Sequence, residues 1–305
     1  MMQIFNYIGF ILGYLLWWPL LIVKNFGIAI IIFTLIIKII TFPFSIKQQK
    51  SMAANQKLQE KQKLLREKYG NDRNKLNQEM QKLYEKENTS PMSGCITSIL
   101  PMLVLLGVFY SVAYPLTNTL HLSGDSVNQA IDFMNSIPGL QQSSNAFYRQ
   151  IEFVNIFPAI QNSSFVQEIF SASEIANISM FNQSFNLLGF DLLSTPSVAG
   201  GIYYAIPVLC LLTSIGSQFL LTKIQGNQMQ GCMKIMLFVL PLFSAWIALN
   251  VPSAVGFYWI VSTVLSFVQT LVLQKFYNAT KMGGKMEAQH VALLRLQEKN
   301  AQKLQ

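Results

Sequence analysis

The 305-residue sequence is too apolar for a soluble protein, because 51% of its residues are hydrophobic and only 12% are charged. A typical soluble domain carries about 25% charged residues. The net charge of +8 would fit a nucleic-acid-binding protein, but most of the charged residues lie in segments between apolar blocks. We therefore interpret the chain as an all-α integral membrane protein, with a five-helix transmembrane core, an N-terminal interfacial helix and a cytoplasmic antiparallel helical hairpin.

The first segment, residues 1–24, is apolar and contains an aromatic pair, Trp17 and Trp18, of the kind found at membrane–water interfaces. It lacks the positively charged start and the cleavage site of a signal peptide. We expect it to form a helix lying on the outer membrane surface. A sixth span is the alternative, because residues 4–23 are apolar enough to cross the bilayer.

Five further segments are apolar and about as long as a span requires, which is about 20 residues. The predicted spans are 25–46, 94–114, 200–222, 233–250 and 253–274. Basic residues are concentrated in 47–93 and 275–305, and a short cytoplasmic loop is predicted at 223–232. Segment 115–199 instead holds one basic residue, Arg149, against six acids. The positive-inside rule therefore predicts an N-terminus outside and a C-terminus in the cytoplasm.

Segment 47–93 is rich in strong helix formers and has sparse apolar residues at helical spacing. Gly70 is predicted to be a left-handed C-cap between two arms, followed by an N-cap candidate. A solvated connector is one interpretation, but a connector between adjacent spans needs far fewer residues. We favour a hairpin that docks a partner. Its candidate contact residues are Arg66, Lys68, Tyr69, Gly70 and Arg73.

Two further segments are predicted to lie outside the membrane. The extended extracytoplasmic loop, 115–199, has short apolar clusters among many Asn, Ser and Gln residues, and is a candidate for a small folded cap. The tail, 275–305, is basic and is expected to be helical near its end. Anionic lipid headgroups and ribosomal RNA are both suitable partners for it.

Polar side chains inside the predicted spans form the candidate site, because such groups are costly in lipid. In the first span, Thr34, Lys38, Thr41 and Ser45 share one helical face. Further polar positions lie in the third and fifth spans: Ser214, Gln218, Ser262, Ser266 and Gln269. Lys38 would cost about 2.5–3.5 kcal/mol near the bilayer centre, and no predicted span contains an acid to pair with it. This favours a hydrated groove; snorkelling to the cytoplasmic surface is the alternative.

The sequence shows no enzyme-like or metal-binding pattern. His121 and His290 lie far from any cluster of acids or cysteines, and the three cysteines, Cys95, Cys210 and Cys232, match no metal or disulfide spacing. There is no phosphate-binding loop, nucleophile elbow or zinc-protease helix. We therefore expect a protein that is not an enzyme and needs no cofactor.

Several stretches carry a distinctive combination of motifs: 27–43, 47–52, 65–70, 78–84, 91–95, 109–110, 233–236 and 252–262. Together they resemble the YidC/Oxa/Alb family of membrane protein insertases, with similarity over roughly 5–114 and 186–277. The family usually has an arginine in its groove. Lys38 stands at the matching position and keeps the charge without the guanidinium fork. The sequence also lacks the lipobox cysteine of many members, and its outer loop is much longer than usual.

The resemblance implies five core helices around a groove that opens to the cytoplasm and to lipid but is closed toward the outside. It implies insertion and chaperoning of new membrane proteins, with Lys38 attracting acidic substrate tails and Tyr258 and Trp259 contacting the sliding substrate. The implied partners are nascent membrane proteins, the ribosome and signal-recognition targeting machinery, membrane lipids and, optionally, the Sec translocon, but no DNA. The implied location is the bacterial plasma (inner) membrane, as a multi-pass protein.

Two other classes of function fit an apolar protein of this kind. One is a small-solute transporter or channel, which predicts internal repeats and helices broken by Gly or Pro at matching positions; we find no convincing repeat. The other is a structural membrane assembly factor that chaperones spans without moving polar tails. Activity in liposomes separates these functions from insertion.

Overall fold

The computed structural model describes residues 2–70, 72–86, 104, 106–140, 148–225, 232–276, 292 and 295. The α-helices are α1 (Met2–Val23), α2 (Phe26–Tyr69), α3 (Arg73–Lys86), α4 (Gly124–Ser136), α5 (Arg149–Ile160), α6 (Ser164–Ile169), α7 (Ala172–Gln183), α8 (Pro196–Ala199), α9 (Ala205–Gln225), α10 (Cys232–Asn250) and α11 (Ser253–Phe276). A π-helix (Pro115–Thr119), a 3-10 helix (Gly201–Tyr204) and two short strands, β1 (Asn186–Leu187) and β2 (Phe190–Asp191), complete them. The predicted all-α class is confirmed.

The chain divides into two compact units. The first contains residues 1–38 and 101–267, and the second contains 39–100 and 268–305. In the core of the first unit, side chains of α1 and of the start of α2 pack together with described residues between Val104 and Tyr258. Both α2 and α11 begin in the first unit and end in the second.

Four helices in the described part of the chain are long and apolar enough to cross a membrane. The apolar segments are Asn6–Val23, Phe26–Gln49, Gly201–Lys223, which begins in the 3-10 helix before α9, and Ser253–Phe276. Three of them coincide with the predicted first, third and fifth spans. The predicted fourth span lies in α10, whose described side chains, Val239–Asn250, form an apolar stretch. Most of the predicted second span, 94–114, lies outside the described residues.

Helix α1 has the length and composition of a span, so its placement on the outer surface stays a prediction. It packs tightly against residues 106–119. Side chains at Gly9 and Gly13 would overlap Tyr110 and the Asn118 backbone, which explains the small residues one helical turn apart. The Ser111 hydroxyl also donates to the Gly9 carbonyl oxygen at 2.8 Å.

The first span and the first arm of the predicted hairpin form one continuous helix, α2, which passes through Pro43 and has 44 residues. At helical rise this is about 66 Å, roughly twice the thickness of a bilayer core. The second arm is α3, which Asp72 caps, because the Lys75 amide donates to its Oδ1 at 3.0 Å. The two arms therefore exist, and their antiparallel packing stays a prediction.

Gly70 joins the two arms, but not in the way we predicted. It does not adopt the left-handed conformation that a glycine C-cap uses. A Cβ at this position would instead lie 2.6 Å from the Arg66 carbonyl oxygen. Glycine is therefore required here for close backbone approach rather than for a positive φ.

The described residues of segment 115–199, which we call the cap, fold around a core of aromatic side chains. Its buried phenylalanines are Phe153, Phe157, Phe170, Phe181 and Phe185. Phe26, at the first residue of α2, joins this core, with its ring centroid 4.3 Å from that of Phe185 and 5.6 Å from that of Phe181. The cap is thus attached directly to the start of the first predicted span.

Residues 184–194, which we call the strap, contain the β-hairpin and contact the first turns of two long helices. At α2, the Phe26 amide donates to the Ser184 carbonyl oxygen at 2.8 Å. At α11, the amides of Ser253 and Ala254 donate to the carbonyl oxygens of Ser194 and Leu192 at 3.0 and 2.8 Å. The first amides of a helix have no partner within the helix, so the strap satisfies donors at both N-termini.

Candidate functional site

Lys38 is half-buried, and its ammonium is hydrogen-bonded to a side chain of α11. Its Nζ donates to Ser266 Oγ at 2.6 Å, and that hydroxyl donates onward to the Ser262 carbonyl oxygen at 2.6 Å. Because the Ser266 proton is directed at its own helix, the oxygen lone pairs face the ammonium. The structure thus gives Lys38 a polar partner within the first unit.

Thr34 lies one turn before Lys38 but in a different environment. It is 1% exposed, and its hydroxyl donates to the Ile30 carbonyl oxygen at 2.6 Å within α2. A buried hydroxyl that bonds its own helix has its polar atom satisfied without water. Thr34 therefore does not line an open surface in this structure.

The predicted stripe in α9 takes part in hydrogen bonds within its own helix through its backbone carbonyl groups. Ser214 is buried, and its carbonyl oxygen accepts from the Ser217 hydroxyl at 3.0 Å. Gln218 is half-buried, and its carbonyl oxygen accepts from the Thr222 hydroxyl at 2.8 Å. Gln218 has the longest polar side chain of this stripe.

The two aromatic residues predicted to contact a sliding substrate have different environments. Tyr258 is 3% exposed and belongs to the core, and it shares a side-chain hydrogen bond with Ser262. Trp259 is half-buried. Trp259 is therefore partly accessible, whereas Tyr258 is enclosed in the core.

The other polar groups predicted on α2 lie in the second unit, where they pair with the end of α11. Gln269 Nε2 donates to Ser45 Oγ at 3.0 Å, and the Ser45 hydroxyl donates to the Thr41 carbonyl oxygen at 3.1 Å. Both Thr41 and Ser45 are half-buried. The pattern repeats the one at Lys38, because a side chain of α11 again bonds a polar side chain of α2.

The predicted partner-binding residues of the hairpin lie on an open surface. Arg66, Lys68, Gly70 and Arg73 are exposed, while Tyr69 is half-buried. The ammonium of Lys68 lies 5.1 Å from the Tyr69 ring centroid, and that of Lys75 lies 5.6 Å from it. Two cations at one aromatic ring form an exposed basic cluster.

Sequence reasoning did not predict the strap or the hydrogen bonds of Asp191 that stabilise its turn. This carboxylate accepts from the Leu193 amide at 3.0 Å and from the Ser194 hydroxyl at 2.8 Å. It thereby orders the turn whose carbonyl oxygens bond the first turn of α11. The available signal was an acid followed by Leu-Leu-Ser-Thr-Pro, a local turn pattern that the apolar surroundings obscured.

Comparison with known proteins identifies the family. A model of the 60Kd inner membrane protein family matches residues 18–281, which is well over half of the chain. The chain belongs to this family. It is the YidC/Oxa family that the motifs of the sequence resemble. With four apolar helices of spanning length among its described residues, the chain is a multi-pass protein of a bacterial inner membrane.

Three curated relatives, each named membrane protein insertase YidC, show how far the similarity extends. The protein of Geobacter sulfurreducens is 29% identical over 251 residues, which are 82% of this chain and 34% of the relative. That of Maridesulfovibrio salexigens is 30% identical over 252 residues, 83% of this chain and 35% of the relative. That of Caldanaerobacter subterraneus subsp. tengcongensis is 27% identical over 254 residues, 83% of this chain and 87% of the relative. The chain thus spans about a third of the first two relatives and most of the third.

Proposed function

We propose that the chain is a non-enzymatic insertase and chaperone for newly made membrane proteins. Membership of the family and the names of the relatives support this function. The observation that carries it is the half-buried ammonium of Lys38 on the Ser266 hydroxyl, inside an apolar helix. A cation in such a position is a functional group by default, because its insertion costs free energy.

The proposed mechanism lowers the cost of moving a polar tail through hydrocarbon. Unpaired polar groups cost several kcal/mol each in an apolar medium. A hydrated groove along α2, α9 and α11 would keep such groups solvated part of the way across. Lys38 would exchange the Ser266 hydroxyl for an acidic group of the substrate, which is a stronger, charge-assisted partner. The apolar segment of the substrate would then leave past Trp259 into lipid, driven by its own burial.

We further propose that the N-terminus lies outside and the C-terminus in the cytoplasm, as the charge asymmetry indicates. The exposed cations around Tyr69 then face the cytoplasm, where they suit an acidic surface of the ribosome, of the signal-recognition machinery or of the Sec translocon. The tail at 275–305 would contact anionic lipids or ribosomal RNA. No DNA partner is proposed.

Substitution of Lys38 tests the charge role. In proteoliposomes, Lys38→Glu should strongly reduce insertion of a single-span substrate with an acidic tail, because attraction becomes repulsion. Insertion of the same substrate with a neutral tail should change much less. Lys38→Arg is the matched control, since it keeps the cation and should retain activity. Equal insertion of acidic and neutral tails by Lys38→Glu would contradict the role.

Site-specific crosslinking tests the path. Single cysteines at Gln218 and Ser266 should form adducts with a nascent chain arrested during insertion. Thr34→Cys is the matched control, because its buried side chain should give little adduct despite lying one turn from Lys38. Adducts from Thr34 alone would show a different path. Solute flux without insertion in the same liposomes would instead favour a channel or transporter.

A further inference from the structure

The tip of the strap combines two unfavourable features that are rarely found together. Its turn residue Leu188 has a φ of 53° and is 93% exposed. A bulky side chain with positive φ is strained, because its Cβ approaches the following carbonyl oxygen. A leucine fully exposed to water also gains nothing from burial. Position 188 therefore bears both costs, although asparagine or glycine would avoid them.

The geometry of the hairpin shows why the position favours a small polar residue. Leu187 pairs with Phe190, and Leu188 and Gly189 form the two-residue turn between them. Gly189 also has a positive φ of 86°, so both turn residues have the sign that a type I′ turn requires. Such turns favour Asn-Gly. Turn chemistry alone therefore does not account for leucine.

The structure also fixes the tip at the end of a membrane-spanning helix. Asn25 Nδ2 donates to the Asn186 carbonyl oxygen at 2.9 Å. A Cβ at Gly27 would lie 2.5 Å from the Leu187 side chain, so the hairpin rests on the first turn of α2. Leu188 is two residues from Asn186, or about 7 Å along a strand. The tip thus lies beside the boundary at which the apolar segment Phe26–Gln49 begins.

Other apolar side chains are exposed where the spans of this unit begin. Ile28 is exposed on the first turn of α2. Ile202 and Tyr204 are exposed at the start of the apolar segment Gly201–Lys223. These side chains belong to predicted spans and therefore face hydrocarbon or its boundary. The hydrogen bond from Asn25 to the Asn186 carbonyl oxygen holds Leu188 close to the same boundary.

We propose that Leu188 inserts into the leaflet at the N-terminal end of α2 and anchors the strap to lipid. The partner is the hydrocarbon boundary, because the exposed side chain at the tip is apolar and the strap itself contains no lysine or arginine; the exposed Lys24, next to Asn25, follows α1 and is not part of the tip. Burial in lipid would offset the strained φ and explain a leucine at this turn. The proposal does not depend on insertase activity.

Depth-dependent quenching tests the proposal in the full-length protein. Cys95, Cys210 and Cys232 are replaced by alanine, Leu188→Cys is labelled with a bimane fluorophore, and the protein is placed in phosphatidylcholine vesicles. We expect quenching by lipid carrying a doxyl group near the headgroup, and protection from aqueous iodide. Ile39→Cys, on the exposed apolar face of α2, sets the lipid level, and Glu168→Cys, an exposed acid in the cap, sets the water level.

Each outcome is decisive. Iodide quenching at position 188 equal to that at position 168 would overturn the proposal. Protection from both quenchers would also overturn it, because the tip would then be covered by protein. Adding anionic lipid should leave the doxyl quenching unchanged, and a strong increase would indicate headgroup binding instead.

A second variant separates lipid contact from turn strain. Leu188→Asn should keep or raise the Tm in detergent, because asparagine tolerates a positive φ. In nanodiscs the same variant should exchange the amides of 186–191 faster than the parent protein does, since the anchor is lost. Leu188→Phe should restore the slow exchange. Equal exchange by the Asn variant and the parent in nanodiscs would contradict the anchor.

Discussion

The cap and the hairpin arms are both helical, yet they are stabilised in different ways. In the cap, short helices bury phenylalanines against one another and against Phe26 of α2. Among the described side chains of the arms, residues 61–70, 72–83 and 85, most are exposed, and the ion pairs Lys63–Glu67 and Lys82–Glu79 lie on the surface. Tertiary burial therefore holds the cap together, whereas local helical preference maintains the arms. This difference predicts that substitutions in the cap core lower the free energy of unfolding strongly, whereas substitutions on the arms leave it nearly unchanged.

The largest effect is expected in the aromatic core of the cap. Phe181 is fully buried between Phe26 and Phe185. Phe181→Ala should lower the free energy of unfolding by about 3–5 kcal/mol, because it leaves a cavity in a packed core. Denaturant unfolding in detergent, followed by tryptophan fluorescence, measures the change. The matched control is Leu64→Ala on the arm, where the side chain is 65% exposed; an equal loss there would refute the comparison.

A smaller effect is expected at the strap. Asp191→Ala removes two hydrogen-bond acceptors from the turn that contacts α11. The expected loss is about 1–3 kcal/mol, the cost of leaving partly buried donors unpaired. Hydrogen exchange at Ser253 and Ala254 should rise in parallel. Asp132→Ala, an exposed acid on α4, is the control and should change neither quantity.

The two regions also differ in how far the sequence predicts them. The arms follow from helical spacing, strong helix formers and the break at Gly70, because all of these signals are local. The cap has equally local capping signals, such as the Ser171–Glu174 capping box. Its core, however, depends on which phenylalanines meet in three dimensions, and spacing alone does not specify that. A folded cap was therefore predictable, and its attachment to Phe26 was not.

In the candidate site, too, local features were predictable from the sequence and contacts between helices were not. Lys38 stands out in the sequence because a lone cation in an apolar segment is costly. Its partner Ser266 was among the candidate groove residues, but their contact depends on how α2 and α11 pack. Helical spacing placed Thr34 with the groove residues, the family resemblance added Tyr258 as a substrate contact, and the structure buries both. Periodicity predicts a shared face of one helix, while a neighbouring helix decides which residues on that face stay exposed.

A pH-dependent effect is expected at the junction of α1 and the cap. The His121 ring stacks on Tyr14 with centroids 3.4 Å apart, and neither of its buried nitrogens has a hydrogen-bond partner among the described residues. Burial lowers the pKa of His121 below its usual value. The unfolded chain then binds the proton more readily, so this contribution is present above about pH 6.5 and is lost as the pH falls.

His121→Phe tests that contribution, because it keeps an aromatic ring against Tyr14 without a titratable group. The Tm of the parent protein should fall between pH 7.5 and pH 5, and the variant should show a shallower fall. Thermal unfolding in one detergent at several pH values measures both slopes. Identical slopes would place the pH dependence elsewhere in the protein.

The smallest effect is expected on the hairpin arm, at its best ion pair. Glu79 Oε1 lies 2.8 Å from Lys82 Nζ, and the hydrogen bond and charge of Lys82 lower the pKa of Glu79. Both groups are on the surface, where water and salt screen the attraction. Glu79→Gln should therefore leave the Tm unchanged at physiological ionic strength. A clear loss would show that Glu79 is buried against another part of the protein, and the arm would then depend on tertiary contacts as the cap does.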